Sequence, residues 1–501
     1  MQARLLDRET GDISHHAFAR AYTTELLSSF APAPQHRFNG ELSSTATSLT
    51  PTSRRSAAPE TRGVSVIDEN RPYNIRAHGA GVTSLALDKF DGRILLSGGA
   101  EGNIKLWDLE GSVSPHTTHT FKPVSTIVRS PVAEGGGQRL AGHSHGITHL
   151  AFYPFDPDAF LSSSYDKTLK LWSTTRSALS ASFNLNATIY SHSTSPVADH
   201  LLVACATQHS HVRLVDLKSG SAVQTLVAHG GPVLSTVWSP RQDHILVSGH
   251  ADGKIRIWDI RRAGGVVALL DQEDSLGVVH KFKHAAAAGM DTGSMPRFRA
   301  AAQAHDEAVN ALQWTSDGKY IVSAGLDGRM RVWNAATGAN TLASFGSLVQ
   351  NRHAKTASII LPPPSNSSRD HVFWANDQDI LLFDLHNGNL VTRLRSPVTA
   401  NPVGPRGDAE IGRNRISSIV WRSSGGGGAA VGPVMGGSNS PGALYSAHLD
   451  GHIRSWMPQI PGPDDVDEEE EASEDTEAKK RKRKAVDDAF RSLMGRQITF
   501  T

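Results

Sequence analysis

Short apolar runs alternate with tight polar turns along most of this chain, and five stretches end in nearly the same phrase. In each stretch an apolar run closes in small residues, a turn follows, and a second run ends in an apolar residue and Trp. Alternating apolar and polar positions predict β-strands, and the short turn between two runs predicts an antiparallel pair. The phrases are LLSGGAEGNIKLWD (95–108), FLSSSYDKTLKLWS (160–173), ILVSGHADGKIRIWD (245–259), IVSAGLDGRMRVWN (321–334) and LYSAHLDGHIRSWM (444–457).

Two weaker phrases complete the period. The long intervals between the Trp residues contain VRLVD (212–216) and ILLFD (380–384), with Val215 and Phe383 in the Trp position. A period of about 40–45 residues with this ending is typical of WD repeats, each of which forms one four-stranded blade of a β-propeller. The sequence therefore predicts an all-β fold, a seven-bladed WD-repeat β-propeller with a short N-terminal helical segment and disordered tails.

The segments outside the repeats suggest the domain boundaries. Residues 1–31 are predicted to be a helical segment, because His15–Phe30 can form an amphipathic helix with an apolar stripe of Phe18, Tyr22, Leu26 and Leu27. Residues 32–61 are rich in Ser, Thr, Ala and Pro, which predicts a disordered linker. An acidic run and then a basic run predict a disordered tail at 459–501. The last repeat has room for only three strands. We therefore expect VSVI (64–67) to add the fourth strand and close a propeller that spans 62–458.

Recurring polar residues predict hydrogen-bonded networks inside the blades. In WD repeats an upstream His, a strand Ser, a turn Asp and the Trp form such a network. We expect it to stabilise the fold, because a catalytic triad would not recur from blade to blade. The two predicted networks are His143, Ser163, Asp166 and Trp172, and His229, Ser248, Asp252 and Trp258.

Composition limits the classes of function. Cys205 is the only cysteine, which argues against intrachain disulfides and for a reducing compartment. A formal net charge of +1 provides no basic field, so direct DNA binding is not expected. The sequence has no run of about 18 apolar residues, so we expect no membrane span. Phosphate-loop and metalloprotease motifs are also missing from the sequence, so we expect no catalytic residue, no metal and no cofactor.

Several stretches resemble the Cockayne syndrome A protein family. Members of this family are WD-repeat substrate receptors of the cullin-4 RING ubiquitin ligase, of the excision-repair type. The resemblance implies a non-catalytic receptor subunit that acts in the nucleus in transcription-coupled nucleotide excision repair. The stretches are LDRETG (6–11), HGAGVTSLALDKFDGRILLSGGAEG (78–102), IYSHSTSPVADHLLVACAT (189–207), VRLVDLKSGS (212–221), WSPRQDHIL (238–246) and IRIWDIRRAGG (255–265).

The same resemblance implies partners and contact residues. The partners would be the damaged-DNA-binding adaptor protein, cullin-4 and its RING subunit, RNA polymerase II and a Swi2/Snf2-type repair ATPase. Arg261 follows a Trp–Asp pair in only one repeat, so it is a candidate contact, although an ordinary surface arginine is the alternative. The implied adaptor-binding residues are Leu5, Leu6, Phe18, Tyr22, Leu26, Trp258, Asp259 and Arg261.

The basic run of the tail bears on the location of the protein in the cell. A short basic cluster favours nuclear import, with a weak phosphate-binding patch or plain solubilising charge as alternatives. The import residues are Lys479, Lys480, Arg481, Lys482, Arg483 and Lys484. The alternative function is a general nuclear WD-repeat scaffold that binds histones or phosphopeptides without attachment to a ligase.

Overall fold

The computed structural model describes residues 10–12, 14, 27–41, 75–111, 118–130, 141–262, 265–275, 302–355, 357–362, 370–395, 414–422 and 442–458. Strands make up about half of this part of the chain, which also has short 3-10 turns at Leu109–Gly111 and Gly346–Leu348. The strands are β1 Phe30–Pro32, β2 His36–Phe38, β3 Val82–Leu87, β4 Ile94–Gly99, β5 Ile104–Asp108, β6 His119–Phe121, β7 Pro123–Ile127, β8 Ile147–Phe152, β9 Ala159–Ser164, β10 Thr168–Ser173, β11 Ala178–Asn184, β12 Ile189–Thr194, β13 Leu202–Thr207, β14 Val212–Asp216, β15 Ser221–Leu226, β16 Val233–Trp238, β17 Ile245–His250, β18 Ile255–Asp259, β19 Val266–Leu269, β20 Val309–Trp314, β21 Tyr320–Gly325, β22 Met330–Asn334, β23 Ile359–Ile360, β24 His371–Ala375, β25 Asp379–Asp384, β26 Leu390–Arg395, β27 Ile416–Arg422, β28 Ala443–His448 and β29 Ile453–Pro458.

Seven antiparallel sheets form the blades of a ring. The first strand of each sheet packs against the first strand of the next, and β27 packs against β3 to complete the circle. The predicted seven-bladed WD-repeat propeller is therefore confirmed. In order from blade 1 to blade 7, the sheets are β3-β4-β5-β7, β8-β9-β10-β11, β12-β13-β14-β15, β16-β17-β18-β19, β20-β21-β22, β23-β24-β25-β26 and β27-β28-β29-β1.

The fourth strand of blade 7 comes from far upstream in the chain. Phe30 of β1 lies opposite Pro458 of β29, and Pro32 lies opposite Trp456, in an antiparallel pair. The prediction that VSVI (64–67) closes the ring is corrected, since β1 occupies the edge of β29 and 64–67 lie outside the described residues. The physical reason is burial. Phe30 is buried, and its ring lies 5.3 Å from that of Trp421 in the same blade.

A second part of the upstream segment packs between blades 1 and 7. Strand β2 pairs in parallel with β6, and the side chain of Phe38 is only 2% exposed. Its ring lies 5.2 Å from that of Trp107, 4.9 Å from Phe121 and 6.0 Å from Tyr445. The linker predicted at 32–61 is therefore wrong as far as residue 41. The segment 32–61 is polar on average, but it includes Phe38, whose side chain packs in the core.

The two degenerate repeats form complete blades without a tryptophan at the end of the third strand. Val215 pairs with Val203 across blade 3, and Phe383 pairs with Val372 across blade 6, as the Trp residues do with apolar partners elsewhere. Both side chains are fully buried. An apolar residue of smaller volume thus fills the same position, because burial rather than the indole itself is required for packing there.

The chain divides into one unit that ends at Pro458 and another from 459 to 501. The second unit, which includes the predicted import residues Lys479–Lys484, lies outside the described residues. No helix among the described residues has the length and apolar character needed to cross a membrane. In that same part of the chain, no three His, Cys, Asp or Glu side chains are grouped so as to hold a metal ion.

Candidate protein-interaction surface

The predicted network of blade 2 is present with one change of residue. The side chain of His143 is fully buried, with Nε2 2.6 Å from Ser162 Oγ and Nδ1 2.8 Å from Asp166 Oδ2. The indole of Trp172 donates to the same Ser162 oxygen at 2.7 Å. The serine of this network is therefore Ser162, and the prediction of Ser163 is wrong.

Ser163 points to the opposite face of the blade, because successive side chains of a strand alternate. Its Oγ lies 2.9 Å from Thr148 Oγ1 and 3.1 Å from Nδ1 of His192, which belongs to blade 3. Ser163 thus connects two blades, whereas Ser162 holds the interior of one. The run Ser162–Ser164 offered three serines in succession, and the register alone selects among them.

The predicted network of blade 4 uses a different histidine. His229 is exposed at its side chain, and its carbonyl accepts a hydrogen bond from Arg256 Nη2 at 2.6 Å. Arg256 also binds Asp252 at 2.8 Å. The imidazole in the network is that of His250, whose Nε2 lies 2.7 Å from Ser248 Oγ, and Ser248 also accepts from Trp258 Nε1 at 2.7 Å.

Blade 7 repeats this second arrangement. His448 Nε2 lies 2.9 Å from Ser446 Oγ, to which Trp456 also donates at 2.9 Å. A residue two positions along a strand shares a face with the first, so the spacing Ser-x-His places the imidazole where the upstream His would lie. That spacing, SGH at 248–250 and SAH at 446–448, was the sequence signal for the missed histidines.

Burial keeps the network histidines neutral. It lowers the pKa of His143 despite the nearby Asp166 carboxylate, and it lowers the pKa of His448 to about 3. A neutral imidazole can accept at Nε2 while donating at Nδ1, or the reverse, which suits a residue between two polar partners. Equivalent sets around His78 and His305 occur in blades 1 and 5. These sets stabilise the interior of each blade in which they occur.

We expect the free energy of unfolding to decrease as the pH falls below about 6.5. His448 has a pKa of about 3 when folded and an ordinary value near 6.5 when unfolded. Unfolding therefore takes up a proton between these values. The contribution of neutral His448 to stability is complete above pH 6.5 and is lost as the pH falls toward 3. His448→Gln should reduce the slope of stability against pH by up to ~1.4 kcal/mol per pH unit below about pH 5.5.

Urea unfolding at a series of pH values between 7 and 4.5 measures this slope. His145→Gln is the control, because His145 is exposed beside the equivalent turn of blade 2. An unchanged slope in His448→Gln would show that His448 is already protonated in the folded protein.

The blade 4 residues predicted to bind a partner differ in their accessibility. Trp258 is fully buried and hydrogen-bonded to Ser248, so it cannot touch a partner while the blade is folded. The side chain of Asp259 is 5% exposed, whereas that of Arg261 is 64% exposed. The role of Trp258 is therefore structural, and Arg261 is the residue of the three that is available at the surface.

Arg261 is held in place by Asp259. Its Nε lies 3.0 Å from Asp259 Oδ1, and its Nη2 lies 2.9 Å from Oδ2. These hydrogen bonds lower the pKa of Asp259 to about 2. A carboxylate two residues back thus fixes a two-pronged guanidinium contact, while most of the side chain remains in solvent. The same pairing occurs in blade 1, where Arg93 binds Asp108 through Nε and Nη2.

Exposed apolar side chains lie on the same side of the ring as Arg261. In an antiparallel blade, the turn after the third strand and the turn between the first two strands lie at the same end. The neighbouring turns at this end are connected, because His200 Nε2 of blade 3 lies 2.9 Å from the carbonyl of Asp243 in blade 4. We call this surface the Arg261 face, and it comprises Phe155, Val197, Leu201, Arg261 and Arg262.

The structure does not bring all the predicted contact residues together. Leu5, Leu6, Phe18, Tyr22 and Leu26 lie outside the described residues. Leu27, which follows them directly, is buried in the core of blades 6 and 7 with Phe30. One member of the apolar stripe thus packs on the ring of its own chain. The exposed Phe155, Val197 and Leu201 were missed, although apolar residues inside the turns YPFDPD and SPVADHL were a visible signal.

Comparison with known proteins agrees with this fold. The family model described as WD domain, G-beta repeat matches residues 70–108, 137–173, 220–259 and 298–334, which end at the Trp strands of blades 1, 2, 4 and 5. WD repeat-containing protein ATCSA-1 of Arabidopsis thaliana is 30% identical over 327 residues, which cover 55% of this chain and 71% of that protein. The chain belongs to the WD-repeat family of ATCSA-1.

Other relatives match shorter stretches. Radiation-sensitive protein 28 of Saccharomyces cerevisiae is 27% identical over 205 residues, 40% of this chain and 40% of that protein. Ribosome biogenesis protein YTM1 of Phaeosphaeria nodorum is 28% identical over 221 residues, 41% of this chain and 46% of that protein. The chain thus spans less than half the length of these two relatives. Ribosome biogenesis names recur, among them a WDR12 homolog of Drosophila persimilis.

These relatives do not support the predicted membership of the Cockayne syndrome A family, and that assignment is corrected. WD-repeat ribosome biogenesis proteins are prominent among them, so the repair-ligase function is corrected as well. The prediction of the partners is corrected together with that function. These partners were the adaptor, cullin-4, the RING subunit, RNA polymerase II and the repair ATPase. Much of the quoted resemblance, such as 202–207 in β13, lies in buried strands. Packing constrains such strands, and they do not contact partners.

Proposed function

We propose that this protein is a non-catalytic scaffold that holds other proteins together during ribosome assembly in the nucleus. The role in ribosome assembly is supported by the relatives named as ribosome biogenesis proteins YTM1 and WDR12. The propeller itself supports the scaffold role, since it presents many turns at two faces and its recurring His–Ser–Trp sets are used for packing. The basic run Lys479–Lys484 supplies a candidate import signal.

Affinity purification of the full chain from its own cells tests the process. Ribosome assembly factors should be recovered with the chain, and part of the chain should sediment with large precursor particles in a sucrose gradient. Ribonuclease treatment before the gradient is the control, because a chain bound through protein contacts should retain the assembly factors. Recovery of a ubiquitin ligase without assembly factors would contradict the proposal.

The Arg261 face supplies the candidate docking surface of this scaffold. Exposed apolar side chains beside two arginines favour a partner with apolar residues near Asp or Glu. Asp259 holds the guanidinium of Arg261 in position, so less side-chain entropy is lost when a partner binds.

Arg261→Glu should weaken partner binding by at least 10-fold, because it places a carboxylate beside Asp259 and reverses the charge offered to the partner. Arg93→Glu is the matched control, since Arg93 binds Asp108 in the same way at blade 1 and is also exposed. Pull-down of the same partners with each variant, after circular dichroism has shown equal folding, measures the effect. Equal binding by both variants would exclude the Arg261 face as the docking site.

A further inference from the structure

A group of cations meets at the end of the central channel, away from the Arg261 face. The segment before β23 enters the channel, and Lys355 Nζ donates to the carbonyl of Thr83 in blade 1 at 2.8 Å. Ser358 Oγ of this segment lies 3.3 Å from Ser418 Oγ of blade 7, which holds the segment against the ring. Lys355 is thus fixed near the axis by contacts to two other blades.

The surroundings of Lys355 are strongly positive. An opening to solvent at this end of the channel is lined by Arg352, Lys355 and Arg415. Asp377 is the acidic residue of the lining, and it lies 3.3 Å from His353 Nε2. Burial lowers the pKa of Lys355 to about 8, and the like charge of Arg415 adds to this effect. Three cations therefore share this opening with one carboxylate, which is already paired.

Unpaired imidazole nitrogens lie close to the same end of the channel. Lys355 contributes to lowering the pKa of His149 to about 4, although burial is the larger cause. The ring of His149 lies 4.7 Å from that of His192. The buried atoms His149 Nδ1 and His192 Nε2 have no hydrogen-bond partner among the described residues. Buried polar atoms without partners are rare in folded proteins and point to an ion or a water beside these two rings, which do not themselves line the opening.

We propose that this opening, which we call the axial cationic site, binds a phosphate group. Lys355 and Arg415 supply charged donors at its wall, and Arg352 supplies a third at its rim. An oxyanion between Lys355 and Arg415 would relieve their repulsion and accept hydrogen bonds that no carboxylate among the described residues takes. Phosphate suits the site better than a single carboxylate, because its dianion offers more acceptor oxygens to donors on separate segments of the chain.

The phosphate can come from two sources, a free small molecule or a phosphoserine side chain. Isothermal titration of the full chain with inorganic pyrophosphate, and separately with a phosphoserine pentapeptide, distinguishes them. Binding of either probe that weakens at least 10-fold in Arg415→Gln supports the site, and the tighter probe identifies the source. Failure of both probes to bind the unaltered chain overturns the proposal.

Further variants separate binding from folding. Lys355→Gln should abolish binding and Lys355→Arg should restore most of it, whereas Lys319→Gln, an exposed lysine paired with Asp317 elsewhere, should bind normally. Should Lys355→Gln fail to fold, Arg352→Gln decides, because Arg352 is exposed and outside the core. Pyrophosphate binding that is unchanged in both Arg352→Gln and Arg415→Gln would assign the anion to another part of the chain.

Discussion

Replacing Phe38 by alanine is expected to lower the free energy of unfolding by about 3–5 kcal/mol. Phe38 packs among Trp107, Phe121 and Tyr445, so truncation leaves a cavity between the first and last blades. The aromatic contacts add to the loss, because edge-to-face pairs contribute beyond the area that they bury. Urea or thermal unfolding of the full chain, followed by tryptophan fluorescence, measures the change.

Phe155→Ala is the matched control for this variant. Phe155 is an aromatic residue on a turn, and half of its side chain is exposed. Its truncation should therefore cost less than about 1 kcal/mol, as surface substitutions usually do. Equal stabilities of the two variants would mean that residues 36–38 do not pack between the blades in solution. The result thus tests the correction of the predicted linker as well as the packing.

Ser162→Ala should destabilise the protein by at least ~2 kcal/mol, because it leaves both His143 Nε2 and Trp172 Nε1 without a partner inside blade 2. Each buried polar group without a partner costs about 1–3 kcal/mol. The distances of 2.6 and 2.7 Å to one hydroxyl oxygen make Ser162 the common acceptor or donor for the two rings. Equilibrium unfolding in urea gives the loss.

A double-mutant cycle separates Ser162 from its neighbour. Ser162→Ala and Trp172→Phe remove the same hydrogen bond, so their effects should add to more than the effect of the double variant. Ser163→Ala also costs stability, since Ser163 contacts Thr148 and His192, but its effect should add to that of Trp172→Phe. Additivity for Ser162 together with coupling for Ser163 would restore the network first predicted from the sequence.

The networks show how far strand patterns determine a site. The sequence pattern identified His143, Asp166, Trp172 and Ser248, because their spacing repeats from blade to blade. It failed where several serines stand in succession, since a shift of one residue exchanges the two faces of a strand. It failed again at His229, because His250 and Arg256 together provide the hydrogen bonds that the upstream imidazole would have made.

The candidate docking surface was predictable only in part. Arg261 was visible as the one arginine that follows a Trp–Asp pair, but nothing in the pattern showed that Asp259 holds it or that Trp258 is buried beneath it. The axial cationic site could not be predicted at all, because Lys355 and Arg415 belong to segments that differ from blade to blade. The proximity of Lys355 to Thr83 and His149 is a product of ring closure.

The sequence alone determined the fold class, the number of blades and the Trp positions, because a local repeat of strand and turn specifies each blade independently. Only the tertiary structure decided how the ring closes, which serine and which histidine enter each network, and which charges meet at the axis. Strand register selects the serine and the histidine of each network. Ring closure and the axial charges depend on contacts between residues that are hundreds of positions apart, such as Phe30 with Pro458 and Thr83 with Lys355. Such contacts leave no period in the sequence, since each of them is made once.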